Sequence, residues 1–270
     1  LNNTGAKEES SLGKTTFKLY GKGKDGFNII STQFSLHYFF QDQTTLHGYL
    51  RNVSENCKVG GYLIGTCYDG KRLFKALSRK SKGESVFEMN DNLEGKMWDI
   101  RKDYDNDDFE DNDSSLGYEI SVYMDTIGKR FTEFLVNFDY LNQIMENYGF
   151  VKAPVKDVKN MGFDKSIGSF NDLFDKMEED IESRKIKKAD IGDALLISSK
   201  EKRLSYFNNY FIYKKVHSVN AAQEEIHYTA KNDPSLSIDP QDSKKDDIET
   251  PTPKQVRKVK KYKKKVKLPN

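Results

Sequence analysis

Hydrophobic positions in the first half of the chain alternate between short apolar runs and helical spacing. Residues 27–31, Phe-Asn-Ile-Ile-Ser, form a run typical of a buried strand, and residues 62–66 form a second one. Between them, apolar residues recur at intervals of three and four and predict an amphipathic helix: Leu46, Tyr49, Leu50, Val53 and Cys57. Because another helical pattern follows Asp69, we expect an α/β sheet with parallel crossovers.

The remaining pattern divides the chain into a folded region and two polar ends. It predicts a half-buried, antiparallel strand over 116–124, helices over 139–148 and 170–182, and strands over 150–151 and 210–213, the last ending before Lys214. Residues 1–26 show no sustained period and are interpreted as a loop or insertion. Residues 27–217 are expected to fold. Residues 218–270 are polar and predicted to be disordered.

Charge is distributed unevenly. The chain has 44 Lys and Arg against 42 Asp and Glu, a formal charge of +2. Residues 251–270 hold nine of the basic residues and no acid, which leaves 35 basic against 42 acidic residues in 1–250. Such a basic tail on an acidic body is typical of polyanion binding or targeting. Salt-dependent RNA affinity, nuclear import and simple solvation all remain open for it.

Composition excludes several protein classes. No apolar run reaches the length of a membrane span, and the N-terminus does not resemble a signal peptide, so we expect an intracellular, non-secreted protein. Two cysteines are too few for a disulfide scaffold or a zinc cluster, and we expect no metal. Because the sequence starts at Leu1 without Met, we expect a fragment of a longer chain.

An acidic segment at 103–113 contains seven carboxylates in eleven residues. A calcium loop would need Gly at its sixth position and Glu at its twelfth, where this chain has Asp108 and Ser114. We therefore interpret 103–113 as a solvated acidic loop, away from the motifs described next.

Generic catalytic motifs are absent from the sequence, but three separated stretches form a specific combination. Residues 33–38 read Gln-Phe-Ser-Leu-His-Tyr after the first strand, 60–66 read Gly-Gly-Tyr-Leu-Ile-Gly-Thr, and 133–138 read Glu-Phe-Leu-Val-Asn-Phe. From about Gly21 to Lys215, the chain resembles the C-terminal part of the mRNA cap (guanine-N7)-methyltransferase family, in the form found in large DNA viruses.

This resemblance implies a class I, S-adenosylmethionine-dependent methyltransferase with a Rossmann-like, seven-stranded sheet. The family's Asp-x-Gly-x-Gly-x-Gly turn, which holds the methionine part of the cofactor, is not in this sequence, so the N-terminal cofactor-binding half is expected to be missing. By the resemblance, Gln33, Phe34 and Tyr38 face the cofactor's adenine. Alternatively, they are a strand-end amide, a core ring and a helix-packing ring.

The resemblance also implies residues for the cap guanine. His37 matches the family's histidine at the guanine, and Glu133 matches the acid that accepts from the N1–H and 2-amino groups; the alternatives are a structural histidine and a surface acid. Tyr68 stands where the family often has Pro, and an aromatic ring there can stack on guanine. The family's last strand carries a tyrosine near the cap, for which Asn209 and Tyr210 are both candidates, unless this run is only a core strand.

The function implied is methyl transfer from S-adenosylmethionine to N7 of the 5′ cap guanine. N7 has a lone pair and no proton to remove, so no catalytic base is expected and the residues act by alignment. The fragment is expected to be inactive alone. A non-catalytic module that binds capped RNA or stimulates an enzyme, and a methyltransferase of the same fold with another substrate, are the alternatives. Expected partners are capped RNA and triphosphatase or guanylyltransferase domains of a parent chain, in the nucleus or a cytoplasmic viral factory.

Overall fold

In a computed structural model, residues 21–230 are described, and five of their strands form one mixed sheet. The order is β1 (Phe27–Gln33), β2 (Cys57–Tyr68), β9 (Asn208–Lys215) and β7 (Phe150–Lys152), with β8 (Ile167–Ser169) beside β9. Strands β1 and β2 run parallel, whereas β9 is antiparallel to β2. The mixed sheet and its parallel crossover confirm the predicted α/β class.

Helices α1 (Gln43–Asn56) and α3 (Phe138–Asn147) contribute to the main core. Asp42 caps α1, because its side chain accepts from the Thr45 backbone N–H at 2.8 Å. Fully buried residues of both helices and of the sheet pack together, including Leu46, Leu50, Leu63, Leu141, Phe211 and Tyr213. The strands predicted at 27–31 and 62–66, and the amphipathic helix predicted between them, are confirmed.

Gly65 allows β1, β2 and β9 to approach closely. A Cβ atom at this position would overlap the carbonyl oxygen of Thr32 and the ring of Phe211. Only glycine fits between a neighbouring backbone and a buried aromatic ring at this separation. The carboxyl ends of β1 and β2 are therefore held in fixed register, with Gln33 opposite Thr66.

A second, antiparallel sheet contains four strands in sequence order: β3 (Ser85–Met89), β4 (Lys96–Lys102), β5 (Glu119–Met124) and β6 (Lys129–Phe134). Helix α2 (Gly70–Leu77) begins after Asp69, as predicted, and the Asp69 side chain accepts from the Arg72 backbone N–H. Buried residues of this helix and sheet form a second core, including Leu73, Leu77, Trp98, Ile100, Ile120 and Val122.

Only β5 of this second sheet was predicted from the sequence. Strands β4 and β6 carry several charged residues, which obscure the alternation that marks a strand, and β3 is only five residues long with a charge of its own at Glu88. Residues 21–230 thus place nine strands in two sheets of five and four, rather than in the single seven-stranded sheet implied by the resemblance. The other helices of this region are α4 (Val155–Asn160), α5 (Phe170–Glu182), α6 (Ser199–Ser205) and α7 (Ala221–Thr229).

The predicted end of the last strand is wrong, because β9 includes both lysines that were expected to terminate it. Lys214 Nζ lies 2.6 Å from a carboxylate oxygen of Asp157. Lys215 is buried, and its ammonium donates to the backbone carbonyls of Cys57, at 3.1 Å, and Ser54. Each lysine has a partner that satisfies its charge or its hydrogens, so the strand continues.

The predicted disorder of 218–270 is also wrong over Ala221–Thr229, which form helix α7 on the outer side of α1. The Tyr228 ring stacks on the buried His47 ring with centroids 4.1 Å apart. Arg51 pairs with Glu225 at 2.8 Å. Polar neighbours hid these contacts in the sequence. The other predicted disorder, at 231–270, the basic segment 251–270, and the loop predicted over 1–20 lie outside the described residues.

The acidic segment at 103–113 is hydrogen-bonded to the rest of the fold. The expectation that it lies away from the sequence motifs is wrong. Asn137, which caps α3, donates to the carbonyl of Glu110 at 2.8 Å and to the Asp111 carboxylate at 3.0 Å. Lys71 lies 2.6 Å from Asp111 and lowers the pKa of that carboxyl. The segment therefore contacts the third sequence motif directly. Within 21–230, no group of three or more His, Cys, Asp or Glu side chains is arranged to hold a metal ion.

The helices between residues 21 and 230 are all too short or too polar to span a membrane. Cys57 and Cys67 are both buried, and neither forms a disulfide bond.

Candidate functional site

The first wall of the site follows the carboxyl end of β1. Phe34 has a left-handed backbone (φ 48°), and its N–H donates to the carbonyl of Thr66 at 2.8 Å. A 3₁₀ helix over Leu36–Gln41 comes next. It buries His37, which is 3% exposed, and leaves Tyr38 44% exposed. A bulky residue in this strained conformation is a common mark of a functional turn.

Glu133 supplies the opposite wall. It lies near the end of β6, opposite Ile120 of β5, and is only 7% exposed. Its Oε2 atom lies 3.7 Å from Nε2 of His37, which is longer than a hydrogen bond. Neither ring nitrogen of His37, nor Oε2 of Glu133, has a hydrogen-bond partner among the described residues.

Burial controls the protonation of this pair. Loss of solvent lowers the pKa of His37 to about 4 and raises the pKa of Glu133 to about 7. The imidazole is therefore neutral at pH 7, while Glu133 is divided between its acid and carboxylate forms. The contact is not an ion pair, and the two groups are available to a ligand.

These residues open onto a cavity of about 560 Å³ between the two sheets and helices α5 and α6. This volume is in the range of small-molecule and nucleotide sites. Most of the other lining side chains are apolar, including Tyr68, Met97, Trp98, Met124, Phe131, Phe170 and Leu204. Trp98 is 1% exposed and donates its indole N–H to the carbonyl of Lys200 at 2.9 Å.

Tyr68 lies beside His37 in this cavity. The two ring centroids are 6.5 Å apart, with an angle of 28° between the ring planes. Burial raises the pKa of the Tyr68 hydroxyl, so it stays protonated. Flat aromatic surfaces next to buried polar groups suit a planar ligand that has both stacking faces and hydrogen-bonding edges.

Five of the eight residues proposed from the sequence line this cavity: Phe34, His37, Tyr38, Tyr68 and Glu133. Gln33 lies beside it at the strand end, where its amide donates to Ser31 Oγ at 2.9 Å and accepts from Thr66 Oγ1 at 2.8 Å. The motifs after β1 and at the end of β6 are thus brought together, although His37 and Glu133 are 96 positions apart in the sequence.

The two remaining residues lie elsewhere. Asn209 faces the other side of β9, where it donates to Asp69 at 2.7 Å and accepts from Arg72 at 3.1 Å. Tyr210 lies further along the strand, and its hydroxyl donates to the carbonyl of Lys165. The residue of β9 that lines the cavity is Asn208. The register of this strand could not be predicted from the sequence, because Asn208 and Asn209 are identical in type and adjacent.

Sequence reasoning also missed the lining residues from β4, β5 and β6. Met97, Trp98, Met124 and Phe131 belong to the second sheet, and no sequence motif marks them. The lone tryptophan of the chain was the one available signal, because a large apolar ring in a polar segment is commonly buried.

A family model for the mRNA (guanine-N(7))-methyltransferase domain matches residues 10–216. Over 218 residues, the chain is 22% identical to a probable mRNA-capping enzyme of Acanthamoeba polyphaga mimivirus, covering 73% of this chain and 18% of that protein. It is 24% identical to the mRNA cap guanine-N(7) methyltransferases of Eremothecium gossypii and Saccharomyces cerevisiae, in each case over 70% of this chain and 42% of the relative. The chain thus spans less than half the length of these relatives.

Solved structures of methyltransferases are similar only at a low level. An S-adenosylmethionine-dependent methyltransferase from Clostridium acetobutylicum gives a TM-score of 0.35 at 13% identity, covering 70% of this chain and 58% of that one. The CcbJ methyltransferase from Streptomyces caelestis gives 0.36 at 12% identity, covering 72% and 59%.

Proposed function

Because the chain belongs to the mRNA (guanine-N(7))-methyltransferase domain family, we propose that its cavity binds the guanine of a 5′ RNA cap and presents N7 for methylation. S-adenosylmethionine is the methyl donor of this family. The proposal concerns the whole protein's activity, to which residues 21–230 contribute the guanine-binding part.

The carboxylate of Glu133 is the observation that carries this proposal. It is buried in an aromatic cavity with one oxygen unpartnered among the described residues. Guanine presents N1–H and a 2-amino group side by side, and one carboxylate accepts from both. The neutral His37 has an N–H for the adjacent O6. Adenine has no hydrogen on N1 and no 2-amino group, so it leaves Glu133 unpaired, and a site of this kind rejects it strongly.

The same arrangement explains how the transfer proceeds without a base. N7 attacks through its lone pair and loses no proton, so the side chains only need to hold the ring. Alignment of two reactants contributes roughly 7–11 kcal/mol to such a reaction. The base gains positive charge during the transfer, and the carboxylate of Glu133 stabilises that charge in a site shielded from water.

Residues at the carboxyl end of β1 fit one end of the methyl donor. The rings of Phe34 (53% exposed) and Tyr38 are open at the cavity, beside the amide of Gln33. Aromatic faces and an amide suit an adenine base. When bound, the donor supplies an electrophilic methyl group. The 270-residue sequence contains no Asp-x-Gly-x-Gly-x-Gly turn for its methionine part, so these residues form only part of a cofactor site.

We further propose that capped RNA is the partner and that the chain acts with triphosphatase and guanylyltransferase activities, inside the cell, in the nucleus or a viral factory. The name of the mimivirus relative, a capping enzyme of which this chain spans 18%, supports a multidomain context. The basic residues at 251–270 would add RNA affinity that falls with salt.

A second candidate is a non-catalytic module that binds the cap or stimulates an enzyme. Such a module needs the guanine pocket but no complete cofactor site, and these 270 residues themselves contain no Asp-x-Gly-x-Gly-x-Gly turn. Incubation of the chain with S-adenosylmethionine and capped RNA tests this second candidate. We expect no methyl transfer by these 270 residues alone, and measurable turnover would exclude the non-catalytic module.

Titration with the cap dinucleotide GpppA tests the guanine site itself. We expect Glu133→Gln to weaken binding by about 100-fold, because hydrogen bonds to a charged acceptor contribute about 1.5–3 kcal/mol each. Glu146→Gln, an exposed acid on α3, is the matched control and should bind like the wild type. Equal affinities of wild type and Glu133→Gln, or equal affinities for GpppA and ApppA, would exclude this site as the guanine reader.

A further inference from the structure

Asn208 is the first residue of β9, it lines the cavity, and one of its side-chain polar atoms has no hydrogen-bond partner within 21–230. Its side chain is 6% exposed. The amide nitrogen Nδ2 donates to the carbonyl of Ser205 at 3.1 Å. Because a carbonyl accepts only from the NH₂ group, this bond fixes which end of the amide is the oxygen Oδ1. Oδ1 is buried and has no partner within 21–230.

The position of Asn208 is fixed from both sides. It lies opposite Tyr68 in the β2–β9 pairing, so it is next to a ring that also lines the cavity. Arg72 donates to the backbone carbonyls of Tyr206 and Asn208, at 2.5 and 3.4 Å. An acceptor on such a rigid support recognises a ligand hydrogen with little loss of side-chain freedom.

Among the described residues that line the cavity, two oxygens are buried and unpartnered: Glu133 Oε2 and Asn208 Oδ1. Glu133 takes N1–H of guanine and one hydrogen of the 2-amino group. The second hydrogen of that amino group points away from N1 and is left inside the cavity. A buried donor without an acceptor is unfavourable, so a guanine site needs one more oxygen.

We propose that Asn208 Oδ1 accepts the second hydrogen of the guanine 2-amino group and is a specificity-determining residue of the pocket. The inference rests on the proposed function, because it assumes that the cavity holds guanine. It assigns the 2-amino group two acceptors on different elements, Glu133 at the end of β6 and Asn208 at the start of β9. Hypoxanthine differs from guanine only by lacking this amino group. It would leave Asn208 without a donor and Glu133 with one donor instead of two.

The first test compares GpppA with its inosine counterpart IpppA, by titration of the full chain. We expect the wild type to prefer GpppA, and Asn208→Ala to reduce that preference by about three- to tenfold, as loss of one hydrogen bond does. Affinity for IpppA should stay within about twofold. Asn52→Ala, an exposed residue of α1, is the control variant. If Asn208→Ala weakened both ligands equally, the inference would be wrong.

The second test uses the wild type alone and does not depend on the folding of a variant. In a cap analogue with one methyl on the 2-amino nitrogen, the hydrogen that faces Asn208 is replaced. We expect this analogue to bind at least about tenfold more weakly than GpppA. Equal binding would overturn the inference and leave the guanine site intact. If instead GpppA bound equally well to the wild type and to Glu133→Gln, the proposed function itself would be overturned.

Discussion

His37 Nε2 and Glu133 Oε2 lie 3.7 Å apart, buried and without a hydrogen bond between them. Two buried polar groups at this distance would normally move together or bind something placed between them. The fold holds them apart, because His37 is in a 3₁₀ helix after β1 and Glu133 is in β6 of the other sheet. The pair can therefore bind one edge of a planar ligand on which a hydrogen-bond acceptor lies next to hydrogen-bond donors.

Cap affinity should depend on pH through Glu133. Burial raises its pKa to about 7, and only the ionised carboxylate can accept from both the N1–H and the 2-amino group of guanine. Protonation therefore competes with binding as pH falls through 7. At pH 6 about one in ten side chains is ionised, so affinity for GpppA should be roughly tenfold lower than at pH 8. Titrations between pH 5.5 and 8 measure this.

The control for pH is Glu133→Gln, which should bind weakly and equally across the range. His37 does not contribute to the pH dependence of GpppA affinity in this range, since its pKa is lowered to about 4. A wild-type profile that stayed flat between pH 5.5 and 8 would contradict the assignment of Glu133 as the acceptor.

His37→Phe should separate stability from binding. Removing a buried imidazole with two unpartnered nitrogens should raise the free energy of unfolding by about 1 kcal/mol. Loss of the donor to O6 should reduce GpppA affinity by about tenfold. Urea denaturation and cap titration measure the two effects. A variant that lost stability and kept its affinity would indicate a purely structural histidine.

Gly65→Ala should damage the frame that supports the site. Its Cβ would overlap the Thr32 carbonyl and the Phe211 ring, which are both fixed by pairing and packing. We expect a loss of about 3 kcal/mol or more in unfolding free energy, typical of overpacking against rigid neighbours. Gly60→Ala tests the interpretation, because Gly60 has open space around its Cβ position and only its positive φ (86°) opposes a side chain. Its smaller loss should be clearly resolved from that of Gly65→Ala by thermal denaturation.

Helix α7 should contribute measurably to stability. Tyr228→Ala removes the ring stacked on His47 and should lower the free energy of unfolding by about 1–2 kcal/mol. Gln223→Ala, on an exposed position of the same helix, should change it by less than about 0.5 kcal/mol. Equal stability of wild type and Tyr228→Ala in urea would mean that α7 does not pack on α1 in solution.

Regular apolar spacing made the first sheet predictable from the sequence. The strand from Phe27, the helix that contains Leu46 and Leu50, and the helix after Asp69 all follow from local pattern. The second sheet was not predictable, because charged side chains such as Asp99 are buried there, and at least one ion-pair partner of Asp99 is distant in sequence. Asp99 pairs with Arg130 at 2.6 Å across two strands, and no local pattern encodes such a partner.

Only those residues of the site that belong to the three sequence motifs, or directly follow one, could be predicted. His37, Tyr68 and Glu133 come together as the resemblance implied, although their roles remain proposals. Asn208 was missed because the register of β9 depends on which residue meets Tyr68 in β2. Strand register is set by pairing, and a one-residue shift moves every side chain to the other face.

The wall of the cavity formed by Trp98 has a practical consequence. The chain has a single tryptophan, and it is buried at the site. Its intrinsic fluorescence is therefore a site-specific signal with no background from other indoles. A base that stacks in the cavity should quench this emission, so ligand occupancy can be followed without a label.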